Sequence, residues 1–182
     1  MKVAITGHTS GIGEALSHFF SERNDEIIGL SRSNGFDITQ DHQKLIDAIV
    51  PADIFICNAF EYFYNVEILF DVFERWRSQE KWIINVSSDS ADYSRYEPNL
   101  YSLSKMAIDQ ACLQLQSTGE RCRVVNIRPG YVDTPRVAEI DALKMNTDSI
   151  VRMVAWVLAL PEEIYLKNMT FCARKGVNDG ER

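Results

Sequence analysis

Tyr101 and Lys105 are four residues apart, a spacing that puts both on one face of a helix. An ammonium beside a phenol stabilises the phenolate, which suits a general acid/base. The same pair also fits a solvated helix start, so alone it decides little. Thirteen residues before Tyr101, Ser88 follows Ile83-Ile84-Asn85-Val86-Ser87 and carries a hydroxyl at the end of an apolar strand. Ser-Ser there reads equally well as a turn. The third group is Thr6-Gly7-His8-Thr9-Ser10-Gly11-Ile12-Gly13, directly after the apolar run Val3-Ala4-Ile5. Gly7 permits a tight turn, Gly11 lets backbone approach a pyrophosphate, and Gly13 lets a helix pack close to a strand. The helix that opens there presents amides and partial positive charge to phosphates. The other reading of this loop is a tight turn and nothing more.

These groups need a scaffold, and the hydrophobic pattern supplies one. Short apolar runs alternate with helical periodicity, the signature of an α/β fold with a parallel sheet. Strands are expected at 2–6, 26–31, 53–57, 82–86, 123–127 and 169–173. Helices are expected at 11–23, 40–50, 66–79, 101–117 and 148–160, the last with Thr147 or Asp148 as N-cap. In the helix at 66–79, Val66, Leu69, Phe70, Phe73 and Trp76 form one stripe, with Ile68 and Val72 off it. One face should pack on the sheet. The rest either meets another subunit or lies buried within one chain. Residues 1–177 read as a single domain and 178–182 as a frayed tail.

With 182 residues, 46% hydrophobic and 25% charged, the composition excludes a disordered or collagen-like chain. A domain this size buries roughly 70% of its unfolded surface and needs no metal or disulfide staple. The formal charge of −7 argues against a broad nucleic-acid or anionic-membrane surface. Cys57, Cys112, Cys122 and Cys172 form no CxxC pair and have no histidine at ligand spacing, so no metal is expected and a reducing cytoplasm is. No apolar run approaches membrane-spanning length, and no signal peptide precedes the first strand. His8 is read as a loop residue near the phosphates, His18 and His42 as helix surface.

Taken in order, Thr6-Gly7…Gly11-Ile12-Gly13, Asn58-Ala59, Ser88, Tyr101/Lys105 and Pro129-Gly130…Thr134 resemble the short-chain dehydrogenase/reductase family over nearly the whole chain. The resemblance implies a Rossmann-like doubly wound sheet and hydride exchange between a nicotinamide cofactor and a small carbonyl or alcohol. Tyr101 would then be the acid/base, and Lys105 would hold the nicotinamide ribose and tune Tyr101. Ser88 would bind the substrate oxygen. Asn65 sits near the place of the family's proton-relay asparagine. Pro129, Gly130, Val132 and Thr134 match the turn that holds the nicotinamide carboxamide. Asp37 and Ile38 match the adenine site, and Asn58 and Ala59 the turn beside the cofactor. Where an NAD binder usually carries an acid, this chain has Ser31-Arg32-Ser33. Arg32 with Ser33 suits a 2′-phosphate, so NADP(H) is preferred over NAD(H); the alternative is a solvated arginine. A homodimer or homotetramer through 66–79 and 101–117 is expected. The competing reading is a non-catalytic NADP(H)-binding sensor or scaffold.

Three departures stand out. Only Ser33–Gly35 separates the second strand from Phe36-Asp37-Ile38, too little for a parallel crossover. The usual third strand and its helix are therefore reduced or missing, with 36–38 a loop or a one-bridge stub. The family's Asn-Ala-Gly is Asn58-Ala59-Phe60 here, and Phe60 becomes a pocket cap. The stretch usual between that motif and the following helix shrinks to Glu61–Tyr64; the substrate lid, 135–146, is also short, with Phe60, Tyr93, Tyr96 and Tyr131 as candidate pocket walls.

Overall fold

Runs such as Val3-Ala4-Ile5 and Ile54-Phe55-Ile56-Cys57 are apolar at consecutive positions, so a strand built from them needs cover on both faces. The computed structural model, which describes residues 1–93 and 97–174, provides that cover. Strands β1 (Lys2–Thr6), β2 (Glu26–Leu30), β3 (Ile54–Cys57), β4 (Trp82–Val86), β5 (Arg123–Pro129) and β6 (Asn168–Phe171) form one sheet in the order β2-β1-β3-β4-β5-β6. Every pairing is parallel. Alternate residues feed two cores. Ala4, Phe55, Cys57, Ile83 and Val124 face α2 (His42–Ile49), α3 (Tyr64–Trp76) and α4 (Leu100–Gln116). Val3, Ile5, Ile56, Ile84, Val125 and Ile127 face α1 (Gly11–Glu22) and α5 (Thr147–Leu158).

The missing strand is confirmed. β2 is the sheet edge, and α2 carries the chain back across β1 to β3. Residues 32–34 make a 3-10 turn, closed by Gly35 at φ +83°. Residues 36–38 then form a loop without a bridge, held by Phe36 N–H to the Ser31 carbonyl at 2.9 Å.

Two local expectations are corrected. The buried stripe of α3 is Asn65, Ile68, Leu69, Val72, Phe73 and Trp76, while Phe70 is exposed. The stripe begins on a polar residue, so a count of apolar positions alone starts one residue late. Neither Thr147 nor Asp148 caps α5; the Asn146 side chain accepts the Ser149 N–H at 2.9 Å. Tyr96 and the tail 178–182 lie outside the described residues.

Candidate active site

The winding reverses at β1, whose two neighbours β2 and β3 lie on either side. In such sheets a crevice forms beyond the carboxyl ends of the strands at this reversal. A cleft of about 490 Å³ opens there. Its walls include Gly7, Ser10, Gly11 and Ile12 after β1, Asn58 to Phe60 after β3, and Ser87 to Asp89 after β4. Tyr101 and Lys105 come from α4, and Pro129, Gly130, Val132 and Thr134 from the end of β5. Glycine loop, Ser88 and the Tyr–Lys pair thus share one cavity.

The loop is shaped for a close ligand. Gly7 and Gly11 have φ of +68° and +56°, the left-handed region open to glycine. A Cβ on Gly13 would fall 2.1 Å from the Gly7 carbonyl oxygen, and one on Gly11 3.0 Å from Thr134 Cγ2. Ser10 makes no side-chain cap, so the first amides of α1 are left for an anion. Asn58 fixes the loop from below, its Nδ2 donating to the Thr6 carbonyl at 3.0 Å. These features fit the pyrophosphate of a dinucleotide. Thr9 is exposed and off the cleft wall. His8 turns away too: a Cβ on Gly29 would lie 2.5 Å from its ring, so the ring rests on β2.

Lys105 is 4% exposed and stands on α4 one turn after Tyr101. Its Nζ donates to the Val86 carbonyl at 3.1 Å and lies 4.3 Å from the centre of the Phe60 ring. Burial pushes its ammonium down to about 8, with the nearby Arg136 charge adding to the effect. Burial holds Cys57 up at about 11 and raises Cys112 as well, so neither thiol supplies a counter-charge at neutral pH. A buried cation satisfied by one carbonyl and one aromatic face retains donors for ligand oxygens. Phe60 also meets the Tyr101 ring edge-on at 5.0 Å. The ring in the glycine's place therefore braces both α4 side chains.

Ser88 caps a 3-10 turn over Asp89–Asp92, its Oγ accepting the Ser90 N–H at 3.1 Å. Behind it a polar network fixes the end of β4. Ser87 Oγ donates to Asp109 at 2.5 Å, and Asn126 Nδ2 donates to the same oxygen at 2.8 Å. Asn126 in turn accepts from Asn85 at 2.8 Å, and Arg128 pairs with Asp109 at 2.8 Å.

Other expected site residues stand apart. Asn65, expected beside the reacting groups, is taken up by the turn before α3. Its Oδ1 accepts the Glu61 N–H at 2.9 Å and its Nδ2 donates to the Ala59 carbonyl at 2.7 Å. Asn65 is not on the cleft wall. Ile38 is buried in the core. Arg32 and Asp37 line a separate hollow of about 350 Å³, with Phe36, Gln40 and Lys44. Arg32 pairs with Asp37 at 3.2 Å and also with Glu61. The Thr39 backbone N–H, then its hydroxyl, hold the Asp37 carboxyl below its usual range. Ser33 Oγ shares a hydrogen bond with Ser31 Oγ at 2.8 Å. Of the candidate aromatic walls, Phe60 and Tyr131 line the cleft, while Tyr93 is exposed away from it. Sequence reading missed Ser87, Asp89, Arg136, Val137 and Ile140 on the cleft and Lys44 at the hollow; no short motif marks them.

Among the described residues, no group of three or more His, Cys, Asp or Glu side chains is placed to hold a metal ion. No described helix is long and apolar enough to cross a membrane.

Comparison with known proteins agrees with this geometry. The family model for short chain dehydrogenase matches residues 35–145, more than half the chain. No curated protein matches the sequence. Among solved structures, a short chain dehydrogenase from Burkholderia cenocepacia in complex with NADP is similar at TM-score 0.82 and 20% identity, over 94% of this chain and 88% of that one. An alcohol dehydrogenase from Thermococcus sibiricus complexed with 5-hydroxy-NADP reaches 0.74 at 17% identity, over 94% and 96%. A 3-alpha-hydroxysteroid dehydrogenase from a Pseudomonas species complexed with NADH reaches 0.76 at 17% identity, over 95% of each chain. The chain therefore belongs to the short-chain dehydrogenase/reductase family of NAD(P)-dependent oxidoreductases.

Proposed function

We propose that this enzyme moves a hydride between NADP(H) and the carbon of a small carbonyl or alcohol, with Tyr101 as general acid/base. The observation that carries the reading is the convergence of Ser88, Tyr101 and Lys105 with the glycine loop on one cleft. The bound nicotinamide supplies or accepts the hydride. In the reducing direction, Tyr101 gives its phenolic proton to the carbonyl oxygen as that oxygen gains charge, and solvent later restores the proton. Oxidation reverses both transfers. Ser88 donates a hydrogen bond to the same oxygen. Lys105 holds the ribose hydroxyls beside the Tyr101 ring. Gly7, Ser10, Gly11 and Ile12 cradle the pyrophosphate, and Pro129, Gly130, Val132 and Thr134 hold the carboxamide. Asn65 acts by fixing the Ala59–Glu61 turn. The test is NADPH oxidation across a panel of small carbonyls, with Tyr101→Phe beside the wild type. Binding without turnover across the panel favours the sensor reading instead.

NADP preference rests on Arg32 and Lys44, two cations facing the hollow beside the adenosine end. Taking up a 2′-phosphate requires Arg32 to release Glu61 and Asp37, an exchange of exposed ion pairs that costs little. Arg32→Ala is expected to weaken NADPH binding about tenfold in a fluorescence titration while NADH binding holds, since a charged hydrogen bond is worth about 1.5–3 kcal/mol. An unchanged preference removes Arg32 from the argument.

A homodimer is proposed through the outer face of α3 and α4. Leu103, Met106 and Leu113 on α4 and Phe70 on α3 are exposed apolar side chains. Their spacing on α4 forms a stripe of the kind that buries against a second helix. Light scattering should report a dimer for the wild type and a monomer for Leu103→Glu/Met106→Glu. A wild-type monomer at micromolar concentration sinks the proposal.

A further inference from the structure

Arg136 stands in a short 3-10 turn, Pro135–Val137, at the start of the lid and on the wall of the cleft. The turn is closed by Val137 N–H to the Thr134 carbonyl at 3.1 Å, which ties Arg136 to the end of the Pro-Gly segment. The guanidinium carbon lies 5.4 Å from the centre of the Phe60 ring. That ring is 8% exposed and already carries Lys105 at 4.3 Å and the Tyr101 ring at 5.0 Å. Two cations thus share one buried aromatic ring beside the Tyr101 phenol. Arg136 contributes to the depression of Lys105, so the repulsion between them is felt.

Among the described residues no carboxylate pairs with this charge. Arg32, Arg77, Arg121, Arg123 and Arg128 each meet a carboxylate. Arg136 is exposed and meets none among the described residues, as is true of Arg75, Arg152 and Arg174, but of these only Arg136 is on the cleft wall. The acid on the cleft wall, Asp89, is engaged beside Ser88 and Gly130: Ser88 Oγ reaches its Oδ1 at 3.5 Å, and its Oδ2 lies 3.1 Å from a Cβ built on Gly130. A guanidinium fork beside the reacting groups, held on an aromatic ring and unpaired, matches the geometry of a carboxylate. Val137, Ile140 and Tyr131 line the cleft with it and suit a short aliphatic body.

We infer that the substrate is a small oxo acid or hydroxy acid whose carboxylate sits on Arg136 while its reacting oxygen meets Ser88 and Tyr101. This rests on the oxidoreductase reading above, but its test is a binding test that needs no turnover. Butyrate and butyramide, one charged and one neutral at the same size, are titrated into the protein saturated with NADP+, with calorimetry as the readout. Kd for NADPH is measured in parallel. Butyrate should bind the wild type at least about tenfold tighter than butyramide. Arg136→Gln should erase that difference, Arg136→Lys should keep part of it, and NADPH affinity should stay within about threefold in both. Equal binding of the two probes by the wild type overturns the inference. So does a loss of NADPH affinity in Arg136→Gln as large as the loss for butyrate, which would make Arg136 a ligand of the cofactor phosphates. If Tyr101→Phe turns over like the wild type while butyrate still discriminates, the chemistry assigned to Tyr101 fails and the anion site stands.

Discussion

Tyr101→Phe is expected to lower kcat at least a hundredfold while NADPH binds within about threefold of the wild type, because general acid–base catalysis contributes about 10²–10⁴ in rate. The substitution removes one oxygen and keeps the ring. Packing against Phe60, 5.0 Å away and edge-on, should therefore survive, and with it the placement of Lys105. That separates chemistry from structure: an unchanged melting temperature and cofactor Kd with lost turnover assign the proton to Tyr101. Full activity in the variant removes Tyr101 from the mechanism.

Lys105→Met should cost a comparable factor in turnover and yet reveal a cost the wild type carries. In the folded protein the ammonium titrates at about 8, against an ordinary 10.5, because burial disfavours the charged form. Below pH 8 folded and unfolded chains both carry the proton, and the folded state bears the full burden of the buried charge. Between about 8 and 10.5 the unfolded chain binds more protons, so stability rises with pH across that window. Denaturation of wild type and Lys105→Met at a series of pH values should show the wild type gaining on the variant by about 3 kcal/mol over it. A flat difference would mean that Lys105 is not buried as described. Activity should run the other way. The cationic form holds the ribose hydroxyls, so kcat/KM for carbonyl reduction should fall as pH rises through about 8. In Lys105→Arg the fall through about 8 should disappear, since a guanidinium stays charged.

Much of the fold was legible because it follows from period and length. The apolar runs became the six parallel strands, and the three residues Ser33–Gly35 correctly foretold the missing strand. The glycine loop, Ser88, Tyr101 and Lys105 were legible because each is fixed by local backbone geometry or by helix spacing. What was not legible depended on partners distant in sequence. Asn65 looked like a relay residue by position, but its amide is claimed by Ala59 and Glu61. Arg32 looked free for a phosphate, but two carboxylates already face it. Arg136 carried no motif at all; its meaning comes from Phe60, 76 residues earlier, which folding brings beneath it. The face of α3 was misread by one position because its stripe opens on the polar Asn65.

The lid leaves the sheet and returns to it at nearly one point. Val132 and Met145 form an isolated parallel bridge, with Asp133 N–H to the Met145 carbonyl at 2.7 Å and Met145 N–H to the Tyr131 carbonyl at 2.9 Å. The residues between them form a closed ring sewn to the end of β5 by a single stitch. Two of its residues face the catalytic groups, Thr134 against Gly11 and Arg136 on the Phe60 ring, whereas Ser88, Tyr101 and Lys105 themselves are carried by the turn after β4 and by α4. The segment that contacts the substrate is thus a replaceable cassette on a fixed catalytic frame. New substrate preferences can be acquired by exchanging the residues of the ring after Arg136 without refolding the rest.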